Sequence, residues 1–221
     1  MISRGKNART SRGRSERNLL IVTGILALLA ITLSFAAHWL SPFPGDLKVT
    51  LWFQSLHSNA LFSIMQWVSY IAQGWQSALL VIVSAVIVWW RIGKLEAALT
   101  LAAGLSTLLD SALKLIVGRP RPPSVLVKVW VVVHNNGFPS GHAFYSMVFL
   151  GLMAYFAFTY MRKSGLRMLI FVSLIVLVIL IGASRVYLGA HWPSDVLGGY
   201  LWGATFLGIF IWLYRRLGRG G

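Results

Sequence analysis

His191 and Asp195 stand four residues apart, with Pro193 and Ser194 between them. Proline and serine suit the first turn of a helix, so the carboxylate can reach the imidazole. A neutral imidazole whose Nδ1–H is held by a carboxylate presents Nε2 as a nucleophile or base. A surface histidine beside a capping aspartate would give the same pattern. Ser184 and Arg185 lie just upstream, and two other short segments carry related chemistry. One runs from Lys114 through Arg119 to Arg121 and is stiffened by Pro120, Pro122 and Pro123. The other is Pro139–Ser140–Gly141–His142, which reads as a helix start. There Ser140 is a natural N-cap, Gly141 lets a ligand approach the backbone, and freed N–H groups attract anions. His142 sits where it could give a proton to a bound anion, or could be a polar residue at an interface. Lys114, Arg119, Arg121 and Arg185 are candidates for an anion cradle, since guanidinium forks match phosphate oxygens and an ammonium adds a compact charge. Each taken singly could equally be a snorkelling flank residue. Arg119 is the weakest of the four and is left as a flank.

The elements that position these residues are membrane helices. Of the 221 residues, 57% are hydrophobic and 11% charged, with mean hydropathy +0.72. A soluble domain carries about 25% charged residues, so this chain lacks the polar surface to face water. Disordered, collagenous and disulfide-scaffold classes are excluded, and the absence of cysteine removes thiol chemistry and Cys-ligated metals. The net charge of +15 would suggest nucleic acid in a soluble protein. Here the basic residues precede or punctuate apolar runs, as in polytopic membrane proteins, so no nucleic-acid partner is expected.

The expected fold is an all-α polytopic membrane helix bundle with six transmembrane helices, marked by charge-poor stretches of about 20 residues that can cross a core about 30 Å thick. The spans are Asn18 to Leu40, Gly74 to Trp90, Leu95 to Leu113, Gly141 to Met161, Met168 to Ala183 and Val196 to Tyr214. Val49 to Ile71 reads as an amphipathic interfacial helix between the first two. Residues 1–17 form a basic tail, 18–214 the membrane domain and 215–221 a second tail, both tails being read as disordered. The first span could be a cleavable signal ending at Phe35–Ala36–Ala37, but its length favours an uncleaved anchor. With both termini cytoplasmic, fourteen of the 20 Lys and Arg fall on the inside. Lys114, His142, Arg185 and Asp195 then lie at span ends on the outer side. Ionisable groups there default to a functional reading, and cations held against the charge bias point to an anion.

Magnesium sites want carboxylates, and only Asp46, Asp110 and Asp195 lie on the outer half. Asp195 is already assigned, and Asp110 stands one turn before Lys114, which makes an i,i+4 pair its simplest role. No metal and no cofactor are expected. His38, His57 and His134 have no chelating spacing and are assigned to the interface.

Together, Lys114-x6-Arg121–Pro122, Pro139–Ser140–Gly141–His142 and Ser184–Arg185-x5-His191-x3-Asp195 resemble the three-part signature of the type 2 phosphatidic acid phosphatase (PAP2) superfamily. That superfamily includes lipid phosphate phosphatases, bacterial phosphatidylglycerophosphate and undecaprenyl-diphosphate phosphatases, and vanadium haloperoxidases. The resemblance has no departure at a motif position; its helix layout covers roughly residues 60–214, not the first 45 residues or the tail. It implies that His191 attacks phosphorus, Asp195 orients and charge-stabilises it, and His142 protonates the leaving oxygen. Lys114, Arg121 and Arg185 would bind phosphoryl oxygens with Ser140 and the Gly141 N–H, and water would then hydrolyse the phosphohistidine. The implied protein is an integral membrane lipid phosphatase acting at the outer face of a bacterial inner membrane. Its partners would be membrane lipids and a lipid phosphate or diphosphate; oligomeric state is left open. Undecaprenyl diphosphate, phosphatidylglycerophosphate, phosphatidate and lipid A phosphate all suit such a site. A lipid phosphotransferase using the same phosphohistidine is the alternative enzyme, and an anion transporter or flippase the alternative outside catalysis.

Overall fold

Proline is absent before Pro42, so nothing in the early sequence stops a helix once it has begun. The computed structural model describes the backbone of residues 3–218 and the side chains of residues 13–218. Its first helix, α1 (Ser3–Trp39), takes in most of the basic head that was read as disordered. The expectation for residues 1, 2 and 219–221, including Arg219, lies outside the described residues. Then follow α2 (Asp46–Ser55), α3 (Asn59–Ile71), α4 (Gly74–Arg91), α5 (Lys94–Leu105), α6 (Thr107–Val117), α7 (Gly141–Tyr160), α8 (Gly165–Tyr187) and α9 (Pro193–Leu217). Six segments among the described residues are long and apolar enough to cross a membrane: Gly13–Trp39, Gly74–Arg91, Lys94–Val117, Gly141–Tyr160, Gly165–Tyr187 and Pro193–Leu217. All six expected spans are present.

Two departures have local causes. The third span bends at Ser106, where the Ser106 hydroxyl donates to the Ala103 carbonyl (2.6 Å) and the Thr107 hydroxyl to that of Gly104 (3.1 Å). Such back-bonding competes with the helical ladder and bends it. The single interfacial helix expected over Val49 to Ile71 is two helices, because Ser58 caps a new one by accepting from the Leu61 N–H. In α2 the buried residues are Asp46, Thr50 and Gln54, one per turn, while Val49, Leu51 and Trp52 face outward. Its polar stripe therefore points into the protein.

The bundle is organised around α7, which packs against α5, α6, α8 and α9. Phe144, Val148, Leu152 and Phe156 form one core with Leu99 and Ala103, and Tyr145, Phe149 and Leu150 another with Val178 and Ile181. Lipid is as apolar as leucine, so membrane helices associate by close packing of small residues rather than by expulsion from water. Gly199 and Gly203 of α9 are that surface. A Cβ at Gly199 would sit 2.5 Å from the Ser140 carbonyl, and one at Gly203 would sit 2.7 Å from the Met147 Cβ. This contact fixes the amino end of α7 against α9. Exposed Trp39, Trp52, Trp67 and Trp75 ring that end of the bundle, and Trp89 and Trp90 the other, as expected of interfacial belts.

Gly199→Val should lower stability by about 1–3 kcal/mol through overpacking. Gly24→Ala, which adds a Cβ with nothing within 4 Å, should not. Thermal unfolding of the two variants in detergent checks this; equal stability would mean the α7–α9 contact is looser than it looks.

Candidate active site

The turn after α8 is where the nucleophile candidate is made. Leu188 N–H donates to Ser184 O, and the N–H groups of Ala190 and His191 both donate to Arg185 O at 3.0 and 3.2 Å. The chain doubles back through Gly189 (φ +69°), where a side chain would also strike the Lys128 carbonyl at 2.1 Å. α9 then starts with a cap supplied by its own first turn. Asp195, at the third helical position, accepts from the Trp192 N–H through Oδ2 at 2.9 Å. This places the carboxylate beside the ring, with Oδ2 3.6 Å from His191 Nδ1. That contact is electrostatic and longer than a hydrogen bond. The other ring nitrogen, Nε2, lies 2.9 Å from the Arg121 Nη1. Guanidinium can only donate, so Nε2 is the acceptor and the ring is neutral with its proton on Nδ1, towards Asp195.

Residues 118–140 form an irregular segment, and hydrogen bonds hold it. Gly137 N–H donates to Arg119 O (2.7 Å), the Asn136 side chain to Lys114 O (2.9 Å), and Trp130 N–H to Leu188 O (3.0 Å). Gln54 of α2 donates to Lys128 O and Tyr187 O while its own Oε1 accepts from Lys128 N–H. Arg121 is thereby aimed: its Nε donates to Asn135 O (2.7 Å), Nη1 to Ala190 O (2.6 Å), and Nη2 to the Asn135 side chain. Lys114, on the last turn of α6, is paired with Asp110 as the spacing predicted. α7 begins directly over that pair, since a Cβ at Gly141 would lie 2.6 Å from Asp110 Oδ2 and 3.3 Å from Lys114 Nζ.

Lys114, Arg121, Gly141, His142, Arg185 and His191 all line one cavity of about 440 Å³. Six of the eight residues named from sequence therefore meet there. Asp195 lies behind His191, fully buried. Ser140 occupies the N-cap position of α7, but its hydroxyl makes no capping bond. Its Oγ is buried without a hydrogen-bond partner, as are His142 Nε2 and Arg185 Nε. Of the two other Arg185 guanidinium nitrogens, Nη1 donates to the Ser69 hydroxyl of α3. Burial holds His191 well below the ordinary imidazole value, with further lowering from Arg121, Arg185 and Lys114. Arg121 is also lowered by burial, against the attraction of Asp195 and Asp110. The arrangement can bind a tetrahedral oxyanion and present an unprotonated imidazole nitrogen to its centre.

One sequence assignment is corrected. Arg119 is no snorkelling flank: it is buried (1% exposed) and joins Asp195 to Asp46. His134 stands exposed on the wall of the site cavity. His38 and His57 are instead tied to the Val117 carbonyl and the Tyr187 hydroxyl, each at 2.8 Å. Sequence reasoning missed Asp46, Ser69, Gln73, Asn135 and Asn136. Asp46 carried a signal, being the one outer carboxylate left without a task in the sequence reading, while Arg119 was the one of the four cradle candidates set aside. The asparagines and Ser69 carried none.

The pattern of the PAP2 superfamily matches residues 95–219, which include every residue of the cavity motifs. Phosphatidylglycerophosphatase B of Bacillus subtilis (strain 168) is 32% identical over 125 residues, covering 55% of this chain and 59% of that protein. YbjG of Escherichia coli (strain K12), named as a candidate undecaprenyl-diphosphatase, is 35% identical over 91 residues, covering 38% of this chain and 41% of that protein. The matched regions thus span less than two thirds of either relative. In fold, the chain resembles the crystal structure of a transmembrane PAP2 type phosphatidylglycerolphosphate phosphatase from Bacillus subtilis. That likeness has a TM-score of 0.79 at 22% identity and covers 90% of this chain and 98% of the other. With more than half its length inside the pattern and the motif residues converging on one cavity, the chain belongs to the PAP2 superfamily.

Proposed function

We propose that this protein is an integral membrane phosphatase that removes a phosphate from the phosphomonoester or diphosphate head of a lipid, through a phosphohistidine on His191. The observation that carries the reading is the contact between Arg121 Nη1 and His191 Nε2 inside a cavity that also holds Lys114, Arg185 and His142. It keeps Nε2 unprotonated at the edge of the cavity, with its lone pair on a guanidinium that phosphoryl oxygens would draw away from it as phosphorus approaches. Phosphoryl transfer asks the protein mainly to position the reactants and stabilise charge on three equatorial oxygens. Lys114, Arg121 and Arg185 supply the charge, and the unpartnered Ser140 hydroxyl and Arg185 Nε are free donors beside it.

In the first step the Nε2 lone pair forms the N–P bond as the P–O bond to the lipid breaks. The leaving oxygen takes a proton from His142. Asp195 faces Nδ1–H and stabilises the positive charge that develops on the ring. In the second step His142 takes a proton from water, the water oxygen bonds to phosphorus, and the N–P bond returns its electrons to Nε2. A second cavity of about 440 Å³, lined by Gly74, Ser77, Val81, Leu101, Leu105 and Tyr145, begins one residue beyond Gln73 of the site cavity and suits an acyl or prenyl chain. The basic-residue distribution supports a bacterial inner-membrane protein with both termini cytoplasmic and the site on the outer face. The named relatives make phosphatidylglycerophosphate and undecaprenyl diphosphate the first substrates to try.

His191→Ala should lower phosphate release from these lipids by about 10⁴-fold or more while the protein stays folded in detergent. EDTA should leave the wild-type rate unchanged. Turnover near the wild-type rate in His191→Ala would end the phosphohistidine reading. A pH prediction follows from the lowered His191 value. Only the neutral ring attacks, and the surrounding cations disfavour the imidazolium, so kcat/KM should hold as pH falls through the ordinary value of 6.5 and drop only below it. Removing one of those cations in Arg121→Gln lets the ring protonate more readily, so the acid limb should move to higher pH. A limb that stays put or moves lower would show that Arg121 does not set the nucleophile's charge state.

A further inference from the structure

We infer that Asp46 and Arg119 form a buried positioning relay that holds Asp195 against His191, so that the short helix α2 is part of the catalytic apparatus. The inference rests on the phosphohistidine reading above and deepens it. Arg119 joins the two carboxylates with separate nitrogens: Nη1 bonds Asp195 Oδ1, and Nη2 donates to Asp46 Oδ2 at 2.9 Å. The Arg119 and Asp195 side chains are fully buried and that of Asp46 is 4% exposed. The Phe43 ring lies over the guanidinium, 4.8 Å from its centroid.

Asp195 must do two things for His191. It must stay ionised, so that it can face Nδ1–H, and it must turn the correct oxygen towards the ring. Its Oδ2 is placed by the Trp192 N–H, 3.6 Å from Nδ1. Its Oδ1 is turned away from the ring by Arg119, which also supplies the neighbouring positive charge that a fully buried carboxylate needs. Arg119 could satisfy that role only if it were itself unable to rotate. Asp46 prevents rotation, and Asp46 is in turn fixed by Ser194 through N–H to Oδ1 (3.0 Å) and Oγ to Oδ2 (2.6 Å), and by the Phe43 N–H (2.9 Å). Ser194 Oγ accepts from the same Arg119 Nη1 (2.7 Å), which closes the ring of contacts between α2, the Arg119 segment and the start of α9.

Neither residue lines the site cavity, so they act through Asp195 and not on the substrate. A purely structural ion pair would alter how much protein folds. A positioning pair alters the rate of the folded enzyme, because misplacement by about 1 Å can cost on the order of 100-fold. The measurement that separates these is a single-turnover rate constant at saturating enzyme, which does not depend on the fraction of enzyme folded. The substrate would be phosphatidylglycerophosphate or undecaprenyl diphosphate in micelles, whichever the wild type hydrolyses faster.

Arg119→Gln should lower that constant about 100-fold with KM within about twofold of wild type. Asp46→Asn should lower it by a smaller factor, about 10-fold. The double variant should be no slower than Arg119→Gln, since the two residues act in series. Arg119→Lys should recover part of the loss, having the charge but not the fork. A wild-type rate constant in Arg119→Gln, or a double variant slowed by the product of the single effects, would overturn the relay. Should Arg119→Gln not fold, Asp46→Asn carries the test, because its one amide oxygen can still accept from the Ser194 N–H while the amide NH2 faces Arg119 and breaks the relay; a wild-type constant there overturns the relay. Turnover surviving in His191→Ala would instead overturn the phosphohistidine reading beneath it. An inactive His191→Ala beside fully active Asp46 and Arg119 variants would sink the relay alone.

Discussion

Cations held close together at the end of a membrane helix bundle repel one another and resist leaving water, and the rest of this site answers that constraint. Lys114, Arg119, Arg121 and Arg185 converge, and three carboxylates, Asp46, Asp110 and Asp195, are set among them. Each carboxylate holds a particular cation or the histidine, although Asp110 also lines the cavity. The surplus positive charge faces the cavity. Arg121, which has no carboxylate partner of its own, is held by the backbone carbonyls of Ala190 and Asn135 and by the Asn135 side chain. Carbonyl dipoles can fix a guanidinium without neutralising it, which leaves its charge available to a phosphoryl group.

The same constraint explains why helix ends build the site. The amino end of α7 adds unsatisfied N–H groups and the positive end of its dipole to the cavity. It can lie over Lys114 and Asp110 because residue 141 is glycine, and it is fixed from behind because residue 199 is glycine. Two positions without side chains, on different helices, therefore set the height of His142 relative to the anion cradle. The carboxyl end of α8 contributes in the opposite sense. Its carbonyl at Arg185 is satisfied by the returning N–H groups of Ala190 and His191, so the turn that carries His191 is fastened to the helix that carries Arg185.

Much of this was legible in sequence. The six spans follow from apolar run length, and the convergence of Lys114, Arg121, His142, Arg185 and His191 follows from their all standing at span ends on one side. The Lys114–Asp110 pair follows from a spacing of four. What was hidden depends on which way a polar stripe faces. Asp46, Thr50 and Gln54 recur once per turn beside Trp52 and Leu51, and periodicity gives an amphipathic helix without saying what meets each face. The reading as an interfacial helix assumes head groups on the polar side; the structure puts Arg119 and Lys128 there. Arg119 was misassigned because its partner Asp46 lies 73 residues earlier, ahead of the Val49 start read for that helix. Asn135 and Asn136 lie in a segment with no periodicity, where only the fold shows what they bind.

α2 thus inverts the usual arrangement of an interfacial helix, and the inversion has a consequence for how the site is held. Its outward face, with Trp52, Leu51 and Val49, is suited to the acyl boundary, while its inward face grips two separate parts of the site. At one end Asp46 reaches Arg119 and Ser194, and two turns later Gln54 clamps the backbone at Lys128 and Tyr187. The long irregular segment from 118 to 140 carries Arg121 yet has no helix or strand of its own, so its shape depends on such external contacts. A polar stripe buried in protein and an apolar stripe facing lipid are each satisfied only when α2 lies flat against the bundle. An apolar face turned to the bilayer boundary and a polar face turned to the site thus favour the same placement of α2.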